Sequence, residues 1–269
     1  MLQHAFSSRL RIFHVLTWFL CIASPGWAFI DIEQTNQARQ LCIAQLPLEK
    51  MAEPLKTKLS KVVQNAQIFE RSKPESFPCN PDVYRWLLES PDASLFAWKK
   101  LGATKAEIVR QENGSFLGKD GTGGELRWNL VASGPLTRIW FAEGSGRIGP
   151  LLPTMTIRAL VFLHFSEVKG IDGRTGIKHR IEILVHYDSI PLVNRITSMT
   201  AESTGKKAVQ QLELFFSGMA WYASEHSAWT RKTFQHWASN TENRNRVQQL
   251  FSCLEPIETE VPPLPPGSR

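Results

Sequence analysis

Glu182, His164 and His186 are the side chains whose types and spacing come nearest to a chemical site. In Thr154 to Glu167, Met155, Ile157, Ala159, Val161, Leu163 and Phe165 alternate with Arg158, Leu160, Phe162 and His164. In Lys178 to Tyr187, Ile181, Ile183, Val185 and Tyr187 alternate with Arg180, Glu182, Leu184 and His186. A period of two puts each set on one face of a strand, so both strands carry one dry face and one mixed face. A carboxylate and two imidazoles facing a cavity could transfer protons or hold a metal. The plainer alternative is that these residues, with His179, are satisfied polar groups at a strand edge or on a wet face.

The named motifs are absent or out of context. There is no HExxH helix and no GxSxG elbow. Gly144-Ser-Gly146-Arg-Ile-Gly149 has dinucleotide-type glycine spacing. Pro150-Leu-Leu-Pro153 and another strand follow it, so it lacks the helix N-terminus that cradles a pyrophosphate and reads as a hairpin loop. Gly118, Gly121, Gly123 and Gly124 lack the Lys-Ser/Thr ending of a P-loop. His226 and His236 have no geometric reason to cooperate. Trp86, Trp98, Trp140 and Trp221 sit among apolar neighbours and read as core rather than as saccharide platforms. No catalytic residue, metal ligand or cofactor is therefore assigned, and an enzyme using Glu182 and the strand histidines stays a second alternative.

A binding site is the leading reading. Leu212, Phe215, Phe216 and Met219 form the face of a long helix, with Ala208, Ala220 and Ala223 on the same stripe. Laid across a sheet, that face would enclose apolar walls with a few polar groups, the usual make-up of a small-molecule site. Arg158 and Glu182, joined by Arg138 from the preceding strand, would meet a polar ligand head if their face is the concave one. If that face is wet, they need no such partner. The ligand class that fits is a lipid or isoprenoid-like molecule with one polar end. The first alternative is a structural or interaction module of the cell envelope with a solid core.

The elements that must position these residues follow from pattern. Residues 33–73 read as helical, with Leu55, Leu59, Val62, Ala66 and Phe69 on one face and Lys56, Lys58 and Lys61 turned away. Ser72 to Pro81 holds three prolines and reads as a linker. Asn80-Pro81 and Ser90-Pro91-Asp92 start two short helices, and Gly102 stops the second. Alternation then marks strands at 107–110, 125–131, 136–143, 154–167 and 178–187, joined by short Gly-rich turns, hence an antiparallel meander. The Ser217-Gly218 pair in the closing helix implies close approach of that helix to the sheet. The expected fold is α+β: an antiparallel meander with a long C-terminal helix packed on it, helix-grip-like, preceded by N-terminal helices. The expected divisions are 1–28, 29–73, 80–240 and a Pro-rich, disordered 254–269.

Composition bounds the rest. With 42% hydrophobic residues, 269 residues can bury a full core. A net charge of +6, with no basic run beyond a Lys-Lys pair, does not establish a nucleic-acid footprint, and no nucleic-acid partner is expected. Arg9 and Arg11, the apolar stretch Ile12 to Ala23 and the small residues of Gly26-Trp27-Ala28 read as a cleaved leader ending at Ala28. The alternative is an N-terminal anchor, so the membrane is met in passing or through that segment alone, and the expected location is the periplasm or cell envelope. Of the cysteines left after cleavage, Cys42 and Cys79 are expected to pair and Cys253 to stay free; three idle thiols are the alternative. Oligomeric state is open.

The order of elements over 80–225 resembles the START-like helix-grip (SRPBCC) superfamily, which implies a curved sheet around a C-terminal helix with a cavity between. Cys79-Asn-Pro-Asp-Val-Tyr-Arg-Trp86, Phe96-Ala-Trp-Lys-Lys-Leu-Gly102, Gly149-Pro-Leu-Leu-Pro153 and Gln211-Leu-Glu-Leu-Phe-Phe-Ser-Gly-Met-Ala-Trp-Tyr222 are similar to segments of uncharacterised secreted proteins of planctomycete bacteria. That likeness implies the domain limits and export, and no activity.

Overall fold

The computed structural model describes residues 32–119, 124–147, 154–188, 204–238 and 241–254. The segments expected to be a leader (1–28) and a disordered tail (beyond Leu254) lie outside them. Eight strands form one antiparallel sheet: β1 Ile68–Arg71, β2 Glu75–Pro78, β3 Glu107–Arg110, β4 Phe116–Lys119, β5 Glu125–Gly134, β6 Thr137–Arg147, β7 Thr154–Lys169 and β8 Thr175–Tyr187. Their order is β1-β8-β7-β6-β5-β4-β3, and β2 extends the line of β1 along β8. Consecutive strands from β3 to β8 are neighbours, as short connections require. The β7–β8 turn uses Gly173 at φ +78°, a conformation open to glycine, while Asp172 Oδ1 accepts from Arg174 N at 3.1 Å.

Among the described residues, seven α-helices cover both faces. On one side lie α1 (Ile32–Ile43) and α2 (Glu53–Asn65). On the other lie α3 (Pro81–Glu89), α4 (Pro91–Lys100), α5 (residues 204–225), α6 (Ser227–Trp237) and α7 (Thr241–Cys253). Alternation decides which residues meet which layer. Trp140, Val161, Leu163, Ile181, Ile183 and Val185 pack under α3–α7, whereas Ile139, Phe141, Leu160, Phe162 and Leu184 pack under α1 and α2 with Cys42, Leu46, Leu59 and Val62. The mixed face is therefore roofed rather than wet. Nine buried side chains at about 1.5–3 kcal/mol each give that roof a gross contribution on the order of 15–25 kcal/mol. The N-terminal helices therefore share one continuous buried layer with the sheet.

Several local expectations change. The helical reading of 33–73 ends at Asn65, and residues 68–71 and 75–78 pair with β8 instead of linking two units. Ile-Phe-Glu-Arg and Glu-Ser-Phe-Pro do not alternate apolar with polar residues, and Pro78 is tolerated because β2 lies at a sheet edge. Strand β4, Phe-Leu-Gly-Lys, escapes notice for the same reason. Lys58 and Lys61 do not turn away: Lys58 pairs with Glu143, and Lys61 bonds Asp188 at 2.8 Å. Trp221 is 38% exposed and is no core residue.

The closing helix α5 is continuous but carries a π turn at Leu214–Gly218. Trp98 of α4 explains the Ser217-Gly218 pair. Its Nε1 donates to the Phe215 carbonyl at 3.2 Å, and a Cβ at Gly218 would stand 3.3 Å from its ring. The close approach is thus to a helix rather than to the sheet. No helix among the described residues is long and apolar enough to cross a membrane.

The Cys42–Cys79 bridge is not formed; Cys42, Cys79 and Cys253 are all free. The sheet separates the pair. Cys42 is buried beneath α2 and donates to Glu182 Oε2 at 2.8 Å, while Cys79 belongs to the core under α3–α7 and donates to the Asn80 carbonyl at 3.1 Å. Burial raises both thiol pKa values, that of Cys79 to about 12.

Candidate functional site

A cavity of about 110 Å³ lies between the sheet and α5. It exists because small residues meet across the strands. Ala142 of β6 is the register partner of both Trp128 and Ala159, and these two alanines face Ala208 of α5. Around them Val161, Ile183, Leu212 and Phe215 keep the layers apart, so the space over the alanines stays unfilled. Gly144, at the rim, has another cause: a Cβ there would lie 2.0 Å from the Glu125 carbonyl oxygen, so close approach of β5 demands glycine. The walls are nearly all apolar, with Glu125, Ser145 and Gln211 as polar exceptions. Trp128 also lines the cavity, is 8% exposed, and its indole N–H has no hydrogen-bond partner among the described residues. An unmet buried donor costs about 1–3 kcal/mol.

The residues expected to bind divide into three groups. Leu212 and Phe215 line the cavity. Phe216 and Met219 are buried in the same core but are not among its lining residues, and Arg138 is a salt-bridged residue away from it, held by Glu89 at 2.6 Å with its guanidinium over the Phe165 ring. Arg158 and Glu182 lie on the opposite face, because they alternate with the cavity residues Ile157, Ala159 and Ile183. Arg158 bonds Glu143 at 2.7 Å and Asp188 at 2.8 Å, tying it to the ion pairs of α2.

Glu182 has no exposed surface and is saturated by partners: Cys42, Arg71 Nε at 2.6 Å, His164 Nε2 at 3.1 Å and Arg180 Nε at 3.1 Å. Burial alone would raise its pKa. Hydrogen bonds from His164 and Cys42, with the charges of Arg180 and Arg71, outweigh burial and hold the carboxyl at about 2. His186 stands four residues further along β8, about 13 Å away, and contacts Asn65, Gln67 and Asp188 instead. The carboxylate and two imidazoles therefore do not converge. What assembles is an ionised anchor beneath α1 and α2, with its thiol kept protonated.

Sequence reasoning overlooked the two alanines that make the cavity. Their signal was a run of large inward residues broken at Ala142 and Ala159, which becomes meaningful only once the β6–β7 register aligns them.

No family model matches the sequence, and no curated protein does. Among solved structures, an uncharacterised protein from Rhizobium leguminosarum is similar at 12% identity, covering 55% of this chain and 96% of that one with a TM-score of 0.25. A structure of Ara h 8.0201 is similar at 14% identity, covering 53% and 96% with a TM-score of 0.25. At that superposition neither likeness carries an argument, and the α+β architecture rests on the strand order, register and helix layers themselves.

Proposed function

We propose that this protein is exported and binds a small apolar molecule, or one alkyl segment of a larger lipid, between the sheet and α5. The observation that carries the reading is the cavity over Ala142 and Ala159, with its nearly all-apolar walls. Its volume fits a ring or a short chain; typical drug-sized pockets start at about 300 Å³, so a steroid-sized ligand would require the walls to part. Export rests on the charged, apolar and small-residue order of the first 28 residues. The small volume also favours a second reading, a structural module of the envelope whose packing is merely imperfect at the alanines.

Native mass spectrometry of protein purified from its own host, together with calorimetric titration of fatty acids of increasing length, tests the proposal. Binding is expected, and Ala159→Phe, which fills the cavity, is expected to weaken it at least about tenfold while the fold is kept. A chain that carries no retained ligand and takes up no fatty acid is a structural module.

A further inference from the structure

We propose that Glu75, His179 and Glu213 form a binding site for a divalent transition-metal ion of the zinc class, separate from the apolar cavity. Glu75 and His179 are register partners on β2 and β8, so their side chains rise side by side from the face that α5 covers. Glu213 reaches the same point from α5, at the residue before its π turn. One donor atom from each of the three lies within 4.8 Å of the other two. His179 is 1% exposed, and its Nε2 has no hydrogen-bond partner among the described residues. That nitrogen stands 3.4 Å from Glu75 Oε2, too far for a good hydrogen bond. A tetrahedral ion whose ligands lie about 2.1 Å away sets neighbouring donors about 3.4 Å apart.

The surroundings suit the role. Tyr84 Oη lies 2.8 Å from His179 Nδ1. A phenol can accept from Nδ1–H, which fixes the imidazole plane and leaves the Nε2 lone pair directed at the ion, the outer-shell arrangement usual for metal-binding histidines. Two carboxylates and a neutral imidazole carry two negative charges, which a divalent ion cancels. Without one, the two carboxylates repel each other. The mixed nitrogen and oxygen donor set favours zinc-like ions over calcium or magnesium. The Glu75 side chain is half exposed, so ion and water can enter from that edge. The ion would clip β2, β8 and α5 together.

The test uses the full chain without an affinity tag, stripped with a chelator and titrated with Co²⁺ by visible absorption, then with Zn²⁺ in competition. One equivalent is expected to bind, with a d–d band typical of low coordination and a rise in Tm on adding Zn²⁺. Glu75→Gln and Glu213→Gln preserve shape, the first at a half-exposed position and the second at a partly buried one. Each is expected to weaken Zn²⁺ binding at least about tenfold and to abolish the Tm rise, with unchanged circular dichroism before metal is added. His226→Ala and His236→Ala are expected to bind as the wild type does. The proposal is overturned by absence of the Co²⁺ band at about 1 mM metal, or by undiminished Zn²⁺ affinity in either glutamine variant. Either result leaves Glu75, His179 and Glu213 as a polar cluster that packs β2, β8 and α5 without an ion.

Discussion

Glu182 sets burial against attraction: no exposed surface, four partners and a carboxyl held at about 2 against an ordinary 4.5. A depressed carboxyl contributes stability above its unfolded value and loses it as pH falls through the folded one. The contribution is about 3 kcal/mol at neutral pH and should vanish between about pH 4.5 and 2. Glu182→Gln is expected to lower stability by that order and to flatten this part of the acid limb, read by urea unfolding at a series of pH values. A parallel loss of the limb in wild type and variant would assign it to other carboxylates. The neighbouring thiol gives a second expectation. Native alkylation should modify Cys253 first and leave Cys42 and Cys79 untouched until denaturant is added, as peptide mass mapping will report. Sequence placed Glu182 and His164 on a shared face correctly. It could not supply Cys42, because nothing local reveals that α1 lies over that face.

At the scale of elements, a buried fork ties α7 to α4. Arg246 of α7 binds Asp92 of α4 through both oxygens, at 2.7 and 2.9 Å, and lies 4.7 Å from the Trp237 ring centre. Removing one member of a buried pair costs about 3–5 kcal/mol. Arg246→Ala is expected to cost that much and to release α7, seen as fast amide exchange over 241–254 while the sheet stays protected. Global loss of protection would mean that α7 is part of the cooperative core. Asn80 serves two helices, capping α3 through Asp82 N at 2.9 Å and donating to the Cys253 carbonyl at 2.7 Å. Its first duty was legible from Asn80-Pro81, since capping is local. The second joins residues 173 apart and leaves no local trace. The runs at 107–110, 125–131, 136–143, 154–167 and 178–187 were likewise visible as strands, whereas β1, β2 and β4, in which apolar and polar residues do not alternate, were not.

The whole molecule is a sheet roofed on both sides, and neither roof is dispensable. Deleting residues 1–66 would uncover Ile139, Phe141, Leu160, Phe162 and Leu184 as one apolar patch. The truncated chain is expected to be insoluble or to bind a hydrophobic dye strongly; a soluble monomer that ignores the dye would show the N-terminal helices to be accessory. The antiparallel class and the closing helix were readable because alternation and helical period are local. The double roof was not, since a mixed strand face serves equally beneath water or beneath a helix that brings its own lysines. Strand β8 accepts the earliest described strand as its neighbour, with Ile68 against Val185. A ribosome adding about 5–20 residues per second needs roughly 6–24 s to make the intervening 117 residues. For that interval β1, β2 and the apolar faces of α1 and α2 exist without their counterpart, so the nascent chain must be shielded by a helper or kept unfolded until β8 emerges.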